Sequence, residues 1–198
     1  MTSIVIACIV EGHGETRALP LLIRRLAQEV APAATVDVPS PLRIPKDRLL
    51  KQNEFERAVQ RAAEGVSERG GVLVLIDADD DCPALKGPEL LDRARRARSD
   101  RRVAVVLAKR EYEAWFLAGA ASLQGQRGLP EDLDPPANPE DIRGAKEWLR
   151  KRMEGDLTYS APVDQPALTA ALDISGVRNA SDSFDKCCRE IERLLRAG

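Results

Sequence analysis

Five consecutive large aliphatic residues, Val72 to Ile76, run directly into Asp77-Ala78-Asp79-Asp80-Asp81. Such a run leaves no polar alternation, so it predicts a strand buried on both faces, as in a parallel sheet. The acids then fall at the strand's carboxyl end, where ligands sit in open α/β sheets. If the strand persists through Asp79, the carboxylates of Asp77 and Asp79 point the same way and Asp81 extends the alternation. Like charges packed this closely need a cation, a basic side chain or a cluster of backbone amides to offset them. Hard carboxylate oxygens suit a divalent cation. The competing reading is a solvated acidic turn that caps the next helix.

A second unbroken apolar run, Ile4 to Val10, leads into Glu11-Gly12-His13-Gly14-Glu15. Gly12 and Gly14 let the chain turn sharply and bring backbone close to whatever Glu11 touches. Glu15 reads equally well as an acid favoured by a helix N-terminus and as part of a site. Leu19, Leu22, Ile23, Leu26 and Val30 form the stripe of an amphipathic helix. Pro20 predicts an irregular turn over 15–18 and a regular helix from about Leu19. Thr35 to Val38 is a short strand candidate. Asp47 then caps a helix whose stripe, from Leu49 to Val66, stops at Gly70-Gly71. Val103 to Ala108 is the next buried strand; it delivers Lys109, Arg110, Glu111 and Glu113 to the same edge, ahead of the apolar Trp115-Phe116-Leu117. Strands alternating with helices over short connections predict a parallel α/β sheet with right-handed crossovers.

A chain of 198 residues suits one domain with a full core. No apolar run exceeds strand length and the start lacks signal-peptide features, so no membrane association and a cytoplasmic location are expected. Four cysteines without C-x-x-C spacing and a single histidine argue against zinc. The net charge of −2 gives no global positive field, so any nucleic-acid contact depends on local patches. One such patch is Arg-rich, from Arg93 to Arg102, and reads either as a solvated face or as phosphate contacts. Gly87-Pro88 opens the helix that carries it. From Gly128 onward Pro130, Pro135, Pro136 and Pro139 break the chain. Residues 1–127 therefore read as an α/β core and 128–198 as a helical extension packed on it, too poor in apolar residues for a core of its own. Its helices are expected from Pro139 through Met153, Ala167 to Leu172 and Ser181 to Leu195.

Glu11-Gly12 after the first strand, followed by Asp77-x-Asp79-x-Asp81 after a later one, resembles the TOPRIM superfamily of topoisomerases, primases and nucleases. Val10 to Thr16 with Leu19-Pro20, Glu111 to Ala118, and Ser181-x-Ser183-Phe184 further resemble an uncharacterised stand-alone bacterial TOPRIM-like family. Its members are often encoded beside ATP-binding-cassette-type ATPases. The resemblance implies a Rossmann-like three-layer α/β/α fold around a four-stranded, mainly parallel sheet. It implies that Asp77 and Asp79, with Asp81, hold Mg²⁺ (or Mn²⁺), and that Glu11 is a general acid or base or shares a second metal with Glu113. Lys109 or Arg110 would stabilise phosphoryl charge, with Gly12 and Gly14 beside the substrate. The implied activity is metal-dependent cleavage or phosphoryl transfer on nucleic acid, in a phage-defence or DNA-repair module. Asp80 and Cys82 stand where topoisomerases commonly place glycine, and no tyrosine-bearing partner domain is present, which argues against strand passage. The alternative is a non-catalytic regulatory subunit of an ATPase-containing complex. A third reading, an aspartyl-phosphate pocket of Glu11, Asp77 and Lys109, is opposed by the second carboxylate at Asp79. Sharing of one ion by Glu11 and Asp77 requires their strands to be neighbours.

Overall fold

The computed structural model describes residues 3–196. The sheet is built from β1 (Ser3–Val10), β2 (Thr35–Asp37), β3 (Leu42–Arg43), β4 (Gly70–Asp77) and β5 (Val103–Ala108). Its order is β2-β1-β4-β5, and every pairing is parallel. β2 pairs with the start of β1 and β3 with its end, so two short strands share one edge position, interrupted by Pro39-Ser40-Pro41. Proline cannot donate to the ladder, which accounts for the gap. The expected fourfold sheet is thus present as four positions and five strands.

Side chains alternate across β1 and β4. Ile4, Ile6, Cys8, Val10, Leu73 and Leu75 face one core with α1 (Glu15–Val30) and the C-terminal helices; Ala7, Ile9, Val72, Val74 and Ile76 face the other. That second core is closed by α2 (Lys46–Leu49), α3 (Glu54–Ala63) and α4 (Pro83–Ala97). The layers are α/β/α. After β5 come α5 (Ala114–Ala118), α6 (Ala145–Arg150), α7 (Ala161–Ala171), α8 (Ile174–Ala180) and α9 (Asp182–Arg196). Phe184, Cys187, Ile191 and Leu194 of α9 share one buried cluster with the sheet, so the extension completes the core. Among the described residues no helix is long and apolar enough to cross a membrane.

Several boundaries differ from those expected. The first helix starts at Glu15, because the Gly14 carbonyl already accepts from Arg17 and Ala18 at 3.1 and 3.0 Å, and Pro20 forfeits only a bond near the helix start. Gly70-Gly71 does not end a helix; it opens β4. A Cβ on Gly70 would lie 2.0 Å from the Val5 carbonyl oxygen, and one on Gly71 would lie 2.5 Å from that of Arg102. The expected helix from Asp47 is two helices, broken at Asn53, whose φ of 65° asparagine tolerates. α4 begins four residues ahead of Gly87, with Pro83 in its first turn. The stretch from Pro139 holds a 3₁₀ turn (Pro139–Asp141) and then α6, separated by Gly144 at φ 73°. α7 begins at Ala161, and α8, which the sequence reading lacked, is capped by the Asp173 carboxylate accepting from Ser175 N–H.

Candidate functional site

β1 and β4 are neighbours, with Val10 opposite Leu75, so Glu11 and Asp77 leave adjacent strands at one edge. β5 lies on the other side of β4, with Ala108 opposite Asp77, and it brings residues 109–113 to the same place. A cavity of about 350 Å³ opens there, lined by Glu11, Asp77, Asp79, Asp80, Arg110, Glu111, Arg143, Gly144 and Lys146.

Asp77 ends the face that carries Leu73 and Leu75 and is 6% exposed; its Oδ1 accepts the Tyr112 N–H at 2.8 Å. The strand stops there. Asp79 has φ 52°, so the expected alternation through Asp79 and Asp81 fails. Asp79 reaches the cavity mouth and pairs with Lys46 at 2.8 Å, while Asp81 lies outside the lining, 3.7 Å from the same ammonium. Asp80 takes both Arg110 and Arg143 at 2.7 Å.

The glycines of the first loop serve packing. Glu15 Oε2 accepts the N–H groups of Glu11 and Gly12 at 3.2 and 3.3 Å, and a Cβ on Gly12 would lie 2.6 Å from Glu15 Oε1. Gly14 is buried against α7, where a Cβ would lie 2.0 Å from Gln165 Oε1 and 2.4 Å from the Ala161 carbonyl oxygen.

Glu113 lies behind the cavity, fully buried, and its Oε1 accepts from Tyr159 Oη and Gln165 Nε2, each at 2.8 Å. Its Oε2 has no hydrogen-bond partner among the described residues. The Lys146 ammonium is 3.4 Å from that oxygen, near enough for charge attraction without the alignment of a bond, and 2.9 Å from Glu111 Oε2. Lys109 turns away. Its backbone N–H donates to Ser183 Oγ and its ammonium meets Asp141 at 2.9 Å, which removes it from the cavity and from an aspartyl-phosphate arrangement. Arg110 stays in the lining, at φ 66°, and donates to the Asp79 carbonyl oxygen.

Burial raises the Asp77 carboxyl well above its ordinary value, and the neighbouring Glu15, Glu11 and Glu113 push it further. Burial likewise raises Glu11, against the pull of Lys46, the Asp77 backbone amide and Lys146. Glu15 is pushed up to about 7 by burial, with Glu11 and Glu113 adding to the shift and the Gly12 amide opposing it. Burial works against the Lys146 charge, but Glu113, the bond to Glu111 and Asp77 outweigh it, and the ammonium is held more firmly than usual.

Among the described residues no group of three His, Cys, Asp or Glu gathers as a metal-holding cluster. Mg²⁺, however, is commonly held by one or two carboxylates with substrate and water completing its shell. Glu11 and Asp77 fit that pattern, and Glu11 Oε2 is buried without a hydrogen-bond partner. Sequence reasoning missed Lys46, Arg143, Lys146, Tyr159 and Gln165, because nothing in their local pattern marks a lysine or amide that folding brings across from another element. The Arg-rich patch lies at the far edge: Arg98 pairs with Asp100, Arg101 donates to the Val66 carbonyl oxygen, and both precede the start of β5.

No curated protein and no solved structure matches this chain. The family described as Domain of unknown function (DUF4276) matches residues 10–192, a span that takes in every residue of the cavity and its buried supports. The chain belongs to the DUF4276 family.

Proposed function

We propose that the cavity is a Mg²⁺- or Mn²⁺-dependent phosphoryl-transfer site acting on nucleic acid, with the TOPRIM-like chemistry that its acidic motifs resemble. The observation that carries this reading is the meeting of Glu11 and Asp77 from adjacent parallel strands in one cavity, with a buried Glu11 oxygen left unpartnered. Glu11 and Asp77 would hold the ion, with Asp79 at the mouth, and the ion would offset charge developing on the phosphoryl group. Asp77 is oriented for this by the Tyr112 amide. Arg110 and Arg143, tethered through Asp80, offer guanidinium donors on the same lining to a phosphate oxygen.

The test is hydrolysis of labelled DNA, RNA and an activated phosphodiester with Mn²⁺, comparing wild type with Asp77→Asn and Glu11→Gln. The reading predicts turnover that falls by about 10²-fold or more in Asp77→Asn, on the scale of losing one electrostatic catalytic group. Turnover unchanged in both variants contradicts it.

A second reading, a non-catalytic subunit of an ATPase-containing complex, draws on a different observation. Lys46 and Lys146 already offset the acids with the protein's own charge. Under that reading Asp77→Asn retains partner binding, measured by co-purification with a co-expressed candidate ATPase, and no phosphodiester is cleaved.

A further inference from the structure

Lys146 belongs to α6, in the C-terminal extension, yet its ammonium lies among carboxylates carried by the strand ends. It is 2.9 Å from Glu111 Oε2 and 3.4 Å from Glu113 Oε2, and it lines the same cavity as Glu11 and Asp77. Glu113 is fully buried, and its Oε2 has no hydrogen-bond donor among the described residues. A buried carboxylate left in this state is costly unless a cation faces it. Lys146 is that cation. Its position is set by a short, anchored segment: Gly144 is at φ 73°, Ala145 N–H donates to Glu111, Ala145 and Leu149 are buried in the core, and α6 runs only to Arg150. From this fixed backbone the flexible four-carbon side chain, 42% exposed, can swing away from the carboxylates by rotamer change alone.

We infer that Lys146 is an internal counter-ion which a divalent cation must displace from the carboxylates, so that the extension sets the metal affinity of the strand-end site. The inference rests on the reading of the cavity as a metal site. Glu11, Asp77 and Glu111 line one cavity with Lys146, so an ion held by Glu11 and Asp77 would set two positive centres in the same lining, and the ammonium, its side chain already 42% exposed, would move out toward the mouth. Apparent metal affinity is lowered by the share of molecules in which Lys146 holds the acids. Lys46 also attracts Glu11, but its direct partners are the exposed Asp79 and Asp81 at the rim and the Ala78 carbonyl oxygen, so it is not the counter-ion of a buried carboxylate.

The experiment is calorimetric titration of Mn²⁺ into wild type, Lys146→Met, Lys146→Arg and Lys46→Met, with thermal unfolding of each measured in the presence and absence of the ion. Displacement predicts that Lys146→Met binds Mn²⁺ about ten-fold tighter or better, the scale expected for removing a unit charge a few ångströms away. Lys146→Arg keeps the charge, holds the acids with more donors and binds Mn²⁺ more weakly than wild type. Lys46→Met gains much less than Lys146→Met. Without metal, Lys146→Met melts below wild type, and saturating Mn²⁺ raises its melting temperature by more than it raises that of wild type. If Lys146→Met does not fold, the inference stands or falls on Lys146→Arg, whose bulkier fixed charge must bind Mn²⁺ more weakly than wild type. Wild-type binding that is unchanged in Lys146→Met, or increased equally by Lys46→Met, overturns the inference and leaves the metal site intact. No binding by wild type or by any variant overturns both; binding that appears only in Lys146→Met supports both.

Discussion

Asp77, Glu11 and Glu15 show the cost of gathering acids at one strand edge. Three carboxyl groups are gathered where water is scarce, and each has a raised pKa for that reason. For Glu15, pushed up from 4.5 to about 7, the folded state favours the protonated form. Its contribution to stability is therefore full below about pH 4.5 and lost as pH rises through about 7. Metal-free wild type should melt at a higher temperature at pH 5 than at pH 8, and Glu15→Gln should recover much of the loss at pH 8 while changing little at pH 5. A wild-type melting temperature that rises between pH 5 and pH 8 would refute this account of the cluster. Asp77→Asn should likewise remain folded, because an amide oxygen still accepts the Tyr112 N–H and the mutual repulsion is relieved.

Glycines and breaks decide how the elements meet. At Gly70 the φ of 108° and the 2.0 Å approach to Val5 leave no room for a side chain, whereas nothing lies within 4 Å of a Cβ on Gly65. Gly70→Ala should destabilise by about 2 kcal/mol or more and Gly65→Ala by less than about 0.5 kcal/mol, read from denaturant midpoints. The strands were legible because unbroken aliphatic runs such as Val72 to Ile76 have one favourable environment. Helix ends were less so. Gly70-Gly71 carries the same letters as a helix stop, and only the backbones of Val5 and Arg102, distant in sequence, make it a strand start. Pro139 to Met153 has a continuous apolar stripe, yet the Glu111 carboxylate takes the Ala145 amide and the chain breaks at Gly144, which places Arg143 and Lys146 at the cavity. That Glu11 and Asp77 end strands at one edge is legible from the aliphatic runs alone, while Asp79 and Asp81 align with them only if the strand continues past Asp77, which the φ of 52° at Asp79 prevents.

At the scale of the molecule, sheet order makes the site and the extension completes it. Glu11 and Asp77 meet because β1 and β4 are adjacent, a relation that pattern alone does not specify. Arg143, Lys146, Tyr159 and Gln165 come from beyond residue 128, and α9 buries one face of the sheet. A chain ending at residue 127 should lose Phe184, Ile191 and Leu194 from that core and fail to unfold cooperatively, as circular dichroism during heating will show. The central claim is that the two strand ends form one divalent-ion site, and calorimetric titration of Mg²⁺ and Mn²⁺ tests it most directly. Binding by wild type that is lost or weakened at least ten-fold in both folded Asp77→Asn and folded Glu11→Gln is the predicted result. Binding that survives unchanged in either variant, or that is absent from wild type and from Lys146→Met alike, contradicts it.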